Sequence, residues 1–194
     1  MFIFVGLGNP GKEYDGTRHN VGFAVVDLLE SQLERSLGWR AGKGDYYYAK
    51  GFYSGADVVL VKPTTFMNLS GRAVRDVLAF FKAEITDLVV ICDDIAIPFG
   101  SLRLRVRGSD GGHNGLTSVI YETGSDLFPR LRLGVGNDFA RGDQARFVLS
   151  RFKEAEKETA NSMLERAVDG CKSIVKLGAE KAMNIVNAKD PASN

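Results

Sequence analysis

The pattern of hydrophobic and polar positions along the chain predicts a series of strands and helices. Short apolar or strictly alternating runs are typical of strands, and they occur at residues 2–5, 46–53, 57–62, 88–92, 101–107 and 130–135. Apolar residues that recur at helical spacing predict helices over residues 21–37, 69–82, 116–122 and 154–186. Because the strands alternate with helices, we expect an α/β fold around a largely parallel central sheet.

The length of 194 residues suits one well-buried core and is short for two. The composition, 44% hydrophobic and 25% charged, is that of an ordinary globular protein. No internal repeat, low-complexity tract or linker divides the sequence. We therefore expect a single domain over residues 1–187, followed by a frayed tail at 188–194.

The charge of the chain excludes a protein that is basic throughout, because the formal net charge is only +1. A strongly basic pI is the usual mark of a nucleic-acid-binding domain. The excess of positive charge is concentrated in one segment, since residues 101–151 hold eight arginines against five acidic side chains, net +3. The charge of this segment is therefore compatible with binding to a nucleic acid.

The cysteines and the hydropathy indicate where the protein works. Cys92 and Cys171 lie in apolar surroundings, and two cysteines are too few for a disulfide scaffold, so we expect buried, reduced thiols in a cytoplasmic protein. No signal-peptide pattern opens the sequence. No apolar run approaches the roughly 18 residues of a membrane span, so we expect no contact with a membrane.

Polar side chains collect in loops that follow four predicted strands, where ligands of α/β proteins bind. These loops hold Asn9, Tyr14, His19 and Asn20, then Asn68, then Asp93 and Asp94, and finally residues 108–115 with His113 and Asn114. Asn20, Asn68 and Asn114 each precede a predicted helix, and an N-cap Asn stabilises a helix by about 1 kcal/mol. Their occurrence beside the only two histidines of the chain favours a functional site.

The inventory of side chains limits the chemistry of such a site. The sequence has no Gly-x-Ser-x-Gly elbow, and neither cysteine has a basic neighbour that would favour a thiolate. The two histidines lack zinc-site spacing, and the glycine-rich segments lack P-loop or dinucleotide spacing. A histidine with an aspartate partner that activates water, helped by neutral amides, fits hydrolysis of an activated acyl bond.

Four segments of the sequence carry a specific resemblance. Residues 9–14 (NPGKEY), 17–22 (TRHNVG), 62–71 (KPTTFMNLSG) and 108–115 (GSDGGHNG) resemble the signatures of bacterial peptidyl-tRNA hydrolases, in order and over nearly the whole chain. The resemblance implies hydrolysis of the ester between a peptide and the 3′-terminal ribose of tRNA, which recycles prematurely released peptidyl-tRNA. It also implies one α/β domain, a twisted mixed sheet flanked by helices on both faces, and a monomer without metal or other cofactor.

The resemblance also assigns roles to residues of this chain. His19 matches the catalytic base that activates water, and Asp93 matches the carboxylate that orients it. The residues that match substrate-positioning or cleft-lining positions are Asn9, Tyr14, Met67, Asn68 and Asn114. We interpret His113 as a residue that holds its loop in place.

The chain departs from the family pattern at a few positions. Cys92 stands where many members have His, Ile95-Ala96 replaces a more usual Leu-Asp, and Asp110 occupies a position that is commonly small or basic. The first two changes flank Asp93 without removing it, so we expect catalysis to be retained. Asp110 is expected to weaken a phosphate contact.

Arginines of two predicted strands form a candidate surface for tRNA. In the alternating run 101–107, Arg103, Arg105 and Arg107 fall on one side, roughly 7 Å apart, and residues 130–133 repeat the pattern. A guanidinium can grip phosphate bidentately, whereas the plain alternative is a solvated sheet face. By resemblance, Arg105 and Arg132 match positions that bind the 5′-terminal phosphate of tRNA, and we place Arg103 on the same surface.

Two other classes of function stay open at this level. One is a non-catalytic RNA-binding relative on the same scaffold, which the intact His19 and Asp93 disfavour. The other is a metal-free hydrolase of small esters or amides, which would have no use for arginine-rich strands.

Overall fold

The computed structural model describes residues 1–188 as one α/β domain. Its strands are β1 (Phe2–Gly6), β2 (Arg35–Ala41), β3 (Tyr46–Tyr53), β4 (Ala56–Pro63), β5 (Leu88–Asp94), β6 (Leu102–Arg105) and β7 (Arg130–Gly134). Its helices are α1 (Val21–Glu30), α2 (Ser70–Phe81), α3 (Asn114–Thr123), α4 (Gln144–Val148), α5 (Lys157–Leu177) and α6 (Ala179–Ala188).

All seven strands form one mixed sheet in the order β2-β3-β4-β1-β5-β7-β6. The four central strands β4, β1, β5 and β7 are parallel to one another. Antiparallel pairs add β3 and β2 at one edge and β6 at the other. The predicted largely parallel sheet is confirmed, and its carboxyl ends meet at one side of the molecule.

The sheet separates two hydrophobic cores, because alternate residues of a strand point to opposite faces. On one face, Phe4 and Ile91 pack with α1, α5 and α6. On the other face, Val5 and Val90 pack with α2 and α3. Helices therefore cover both faces, as predicted. Within residues 1–188, no helix combines the length and the apolarity needed to cross a membrane.

The prediction of a helix over residues 21–37 is wrong in its second half. Helix α1 ends at Glu30, and Arg35–Ala41 forms the edge strand β2. This strand pairs with β3, which satisfies the backbone groups along one side of it, while Trp39 packs against the core. Pairing with the next strand along the chain thus overrides the local helical spacing.

The carboxyl-terminal region also differs from its prediction. The single helix predicted over residues 154–186 is two helices, α5 and α6, divided at Gly178. Gly178 has φ +80°, a conformation that favours glycine and ends a helix. Ala188 is the last residue of α6 and not part of a frayed tail. The rest of the predicted tail, residues 189–194, lies outside the described residues.

Candidate active site

A cleft of about 780 Å³ lies at the carboxyl ends of the parallel strands. Six of the residues predicted to act in catalysis or substrate binding line it, namely Asn9, His19, Met67, Asn68, Asp93 and Asn114. Tyr14 lies beside it, with its ring edge-on to the cleft residue Phe66 at 6.4 Å. Separate loops after β1, β4 and β5 and before α3 therefore bring these side chains together.

His19 and His113 both hydrogen bond to one oxygen of Asp93. Nδ1 of His19 lies 2.7 Å from Oδ1 of Asp93, and Nε2 of His113 lies 3.0 Å from the same oxygen. An ionised carboxylate only accepts hydrogen bonds, so both imidazole nitrogens donate. In His19 this leaves Nε2 as the nitrogen able to take a proton, and within residues 1–188 it has no hydrogen-bond partner.

The surroundings of Asp93 keep it ionised. The side chain is only 3% exposed, and burial alone would raise its pKa. Electrostatic attraction to the imidazoles of His113 and His19, and the hydrogen bonds that they donate, outweigh burial and hold the pKa of Asp93 well below its usual range. The site therefore contains a fixed negative charge directly behind the His19 ring.

His113 also caps helix α3, and this determines its tautomer. Its Nδ1 accepts hydrogen bonds from the backbone N–H groups of Gly115 and Leu116, at 3.1 and 3.2 Å. The proton of the neutral ring must then sit on Nε2, facing Asp93. The geometry agrees with the interpretation of His113 as a residue that holds its loop in place.

The same tautomer argues against a metal ion in this cluster. His19, Asp93 and His113 place ligand atoms within 4.8 Å of one another. A metal bound to Nε2 of His113 would require the ring proton to move to Nδ1. That nitrogen already faces two N–H donors, so coordination would break the cap of α3. The donor set does not fit a metal while the helix cap is intact.

The orientation of the Asn9 amide is determined by its neighbours. Its Oδ1 accepts a 2.8 Å hydrogen bond from the backbone N–H of Met67. The opposite end of the amide, Nδ2, is therefore the end free to donate in the cleft, and within residues 1–188 it has no partner. This places a neutral hydrogen-bond donor in the same cleft as His19.

Asn20 holds the backbone of Asn9 and does not cap α1. Its Oδ1 accepts from the Asn9 N–H, and its Nδ2 donates to the Asn9 carbonyl, both at 2.9 Å. The capping alternative is also wrong for Asn114, because His113 occupies the cap position of α3. Asn68 lies inside the one-turn 3₁₀ helix Met67–Leu69. The side chains of Asn68 and Asn114 are exposed in the cleft.

Arg18 anchors the turn that carries His19, a role that sequence reasoning missed. Its side chain is 2% exposed and lies 4.5 Å from the ring of Phe147 and 4.6 Å from that of Phe152. It donates two hydrogen bonds to Glu156, at 2.8 and 2.9 Å, and one to the Val135 carbonyl at 3.1 Å. The feature of the sequence that could have indicated this role is the position of Arg18 within the 17–22 segment.

A glycine allows this turn to approach Asp93. A Cβ atom on Gly22, at the start of α1, would lie 2.5 Å from the carbonyl oxygens of Ile91 and Leu7. The first turn of α1 therefore packs directly on the ends of β1 and β5. This contact sets His19 against the end of β5, where Asp93 is located.

The arginines of β6 and β7 do not form one uniform surface. Arg103 and Arg105 are exposed on the edge strand β6, as predicted, and do not line the cleft. Arg132 is 17% exposed, and it donates to Asp94 Oδ2 at 3.0 Å and to the Ser109 carbonyl at 2.7 Å. Arg132 is therefore held internally, at the wall of the cleft.

Arg130 corrects the prediction that residues 130–133 repeat the outward arginine pattern. It is fully buried, with its guanidinium 4.3 Å from the Phe128 ring. It donates to the carbonyls of Gly108, Ser109 and Asp126. Backbone acceptors of the 108–115 loop thus draw this arginine inward, and it fixes that loop to the sheet.

The departures from the family pattern have local explanations. Cys92 is fully buried, and burial raises the pKa of its thiol far above the ordinary value, as it does for Cys171. Both cysteines are free and buried, which confirms their prediction. The Ala96 N–H donates to Asp94 Oδ1 at 2.7 Å, and the Gly112 N–H donates to Asp110 Oδ1 at 2.8 Å. Asp110 therefore shapes its own loop.

One wall of the cleft was not predicted at all. It comes from the loop after β7 and from α4, and it includes Phe139, Arg141, Gln144 and Leu149. This segment carries none of the quoted motifs, and α4 is only five residues long. The feature of the sequence that could have indicated this wall is the excess of arginine in residues 101–151.

An α/β sheet with a histidine–carboxylate pair and amides at the carboxyl ends of its parallel strands is an arrangement that suits a hydrolase. A family model described as peptidyl-tRNA hydrolase matches residues 3–194. The chain belongs to the peptidyl-tRNA hydrolase family.

Individual relatives agree over nearly the full length. A peptidyl-tRNA hydrolase of Alkaliphilus metalliredigens is 48% identical over 96% of this chain and 100% of its own. One of Chlorobium phaeobacteroides is 43% identical over 98% of this chain and 100% of its own. The crystal structure of peptidyl-tRNA hydrolase from Acinetobacter baumannii superposes with a TM-score of 0.91 at 31% identity, and covers 98% of this chain and 96% of that one.

Proposed function

We propose that this protein hydrolyses the ester bond between the peptide and the 3′-terminal ribose of peptidyl-tRNA, with His19 as general base. The observation that carries this proposal is the 2.7 Å contact of His19 Nδ1 with the buried Asp93, in a cleft lined by amides. That contact leaves Nε2 of His19 to act on water. The family shown above supports the choice of substrate.

The proton inventory of the site suits this reaction. Nε2 of His19 takes a proton from water, and the hydroxide oxygen forms a bond to the ester carbonyl carbon. Asp93 stabilises the imidazolium that results, because its negative charge lies at Nδ1. The tetrahedral intermediate then breaks its bond to the ribose oxygen, which receives the proton from His19. The products are a tRNA with a free 3′-terminal hydroxyl and the peptide carboxylic acid, which releases its proton to solvent near neutral pH.

The amides of the cleft suit substrate positioning. Nδ2 of Asn9 is a fixed donor that can meet the ester oxygen as negative charge develops on it. The exposed amides of Asn68 and Asn114 can pair with the peptide group next to the ester. Met67 and Tyr14 add apolar surface beside them. A free aminoacyl-tRNA lacks that peptide group, so this arrangement favours N-blocked substrates.

The arginines of the β6 edge provide the contact with tRNA. Arg103 and Arg105 are exposed there, and Arg132 lies where the cleft adjoins the 108–115 loop. We propose that these arginines bind phosphates of the acceptor end, including the 5′-terminal phosphate. We further propose that the protein acts as a cytoplasmic monomer and requires no cofactor.

Hydrolysis of N-acetyl-aminoacyl-tRNA and of free aminoacyl-tRNA, by wild type and by His19→Ala, tests the proposal. We expect wild type to prefer the N-blocked substrate and His19→Ala to lose about 10²–10⁴ in kcat. Tyr121→Ala, at an exposed residue outside the cleft, is the matched control and should retain full activity. A His19→Ala protein with the wild-type rate would refute the role of His19.

The same assay separates the other candidate functions. An RNA-binding relative without catalysis would bind the N-acetyl-aminoacyl-tRNA and release no amino acid. A hydrolase of small esters would cleave a nucleoside-free ester equally well, and uncharged tRNA would not compete.

A further inference from the structure

Arg141 places a second guanidinium in the cleft that contains His19. It lies in the loop between β7 and α4, and it is exposed at the cleft wall. The N–H of Asp143 donates to the carbonyl of Ala140 at 3.0 Å, which closes a tight turn. Arg141 is the second residue of that turn, so the turn presents its side chain away from the loop backbone.

This loop is tied to the turn that carries His19. The rings of Phe139 and Phe147 lie 4.9 Å apart, and the Phe147 ring covers the guanidinium of Arg18 at 4.5 Å. Arg18 directly precedes His19. A short chain of packed side chains therefore connects the loop that carries Arg141 to the turn that carries His19.

The two arginines that line the cleft differ in their free hydrogen-bonding capacity. Arg132 is paired with Asp94 and with the carbonyl of Ser109. Within residues 1–188, Arg141 makes no ion pair and no side-chain hydrogen bond. A guanidinium carries five N–H donors in a planar fork that matches the oxygens of a phosphate. Arg141 is thus the cation of the cleft wall whose donors are available to a ligand.

We propose that Arg141 binds the phosphodiester immediately 5′ of the terminal nucleoside of the substrate, as a substrate-positioning residue. The assignment rests on the proposed function, which places the terminal ribose ester at His19. The next anionic group along the RNA strand is that phosphodiester. The proposed function assigns Arg132, which is also paired with Asp94, to the 5′-terminal phosphate, so Arg141 is the arginine of the cleft wall left for this phosphodiester.

Two substrates that differ in this phosphate test the assignment. N-acetyl-aminoacyl-tRNA contains the phosphodiester, whereas the N-acetyl-aminoacyl ester of adenosine has the same ester and no phosphate. For Arg141→Gln in the full chain, we expect KM for the tRNA substrate to rise about tenfold with kcat unchanged. The slope of log KM against log salt should fall by about one. The kcat/KM for the adenosine ester should equal that of wild type.

Arg146→Gln is the matched control for the loss of one positive charge. Arg146 is exposed five residues further along, in α4, makes no ion pair within residues 1–188 and does not line the cleft. We expect this variant to keep the wild-type KM for both substrates. A rise in KM equal to that of Arg141→Gln would show a general effect of net charge and would overturn the assignment.

Two further results for Arg141→Gln would overturn the assignment of Arg141 and leave the proposed function intact. One is an unchanged KM for the tRNA substrate, and the other is an equal loss of kcat/KM on both substrates. The second result would place Arg141 on the peptide or the terminal nucleoside. A wild-type protein that cleaves neither ester would overturn the proposed function, and the assignment with it. The two failures are thus distinguishable by the wild-type rates.

Discussion

Replacement of Asn20 by alanine tests whether the position of Asn9 depends on a buried amide. The amide of Asn20 makes two hydrogen bonds of 2.9 Å to the backbone N–H and carbonyl of Asn9, and both residues are buried. Asn20→Ala leaves both backbone groups unpaired inside the protein. Each such group costs about 1–3 kcal/mol, so we expect the free energy of unfolding to fall by about 2–6 kcal/mol.

The same substitution should reduce activity, because it loosens the backbone from which the Asn9 amide projects. Of the hydrogen bonds that hold Asn9 within residues 1–188, only the one from the Met67 N–H to Oδ1 then remains. We expect kcat for N-acetyl-aminoacyl-tRNA to fall by about tenfold or more. A helix cap without any other role would cost about 1 kcal/mol and leave kcat unchanged.

Urea unfolding and steady-state hydrolysis measure the two effects. Asn161→Ala is the matched control, because Asn161 is exposed in α5 and its side chain makes no hydrogen bond within residues 1–188. This control should change the free energy of unfolding by no more than about 0.5 kcal/mol. A loss of 1 kcal/mol or less in Asn20→Ala, with kcat intact, would refute the reasoning.

The lowered pKa of Asp93 stabilises the folded state at pH values above the ordinary aspartate pKa, and this stabilisation is lost as the pH falls toward the pKa of Asp93 in the folded protein. In urea unfolding from pH 6 to pH 3, Asp93→Asn should therefore lose less stability than wild type. Parallel curves of unfolding free energy against pH for the two proteins would contradict this. Replacement of both Arg103 and Arg105 by glutamine should raise KM for the tRNA substrate and lower the slope of log KM against log salt by about one or more. A slope equal to that of wild type would show that these residues are solvated surface. Arg130→Met removes the buried guanidinium that holds the 108–115 loop, and in urea titrations it should lower the free energy of unfolding by about 2 kcal/mol or more. The slope of log KM against log salt should not change. A lower slope would instead show that Arg130 binds a phosphate.

The sequence by itself determined most of the elements and the composition of the site. Strand and helix periods are local properties, so β1, β4, β5 and α2 were predicted close to their observed bounds. Parallel strands end at the same edge of a sheet, and residues after those strands were therefore expected to meet. This reasoning located His19 and Asp93 in one cleft without coordinates.

Only the tertiary structure decided which polar groups are paired and which are free. Pairing depends on partners that lie distant in sequence, as the 2.9 Å bonds of Asn20 to Asn9 and the burial of Arg130 under the 108–115 loop illustrate. The tautomer of His113 follows from the backbone of α3, which no motif encodes. The strand conformation of β2 depends on its pairing with β3, the next strand along the chain. Local periodicity specifies elements, whereas hydrogen-bond satisfaction in a packed interior specifies the state of each side chain.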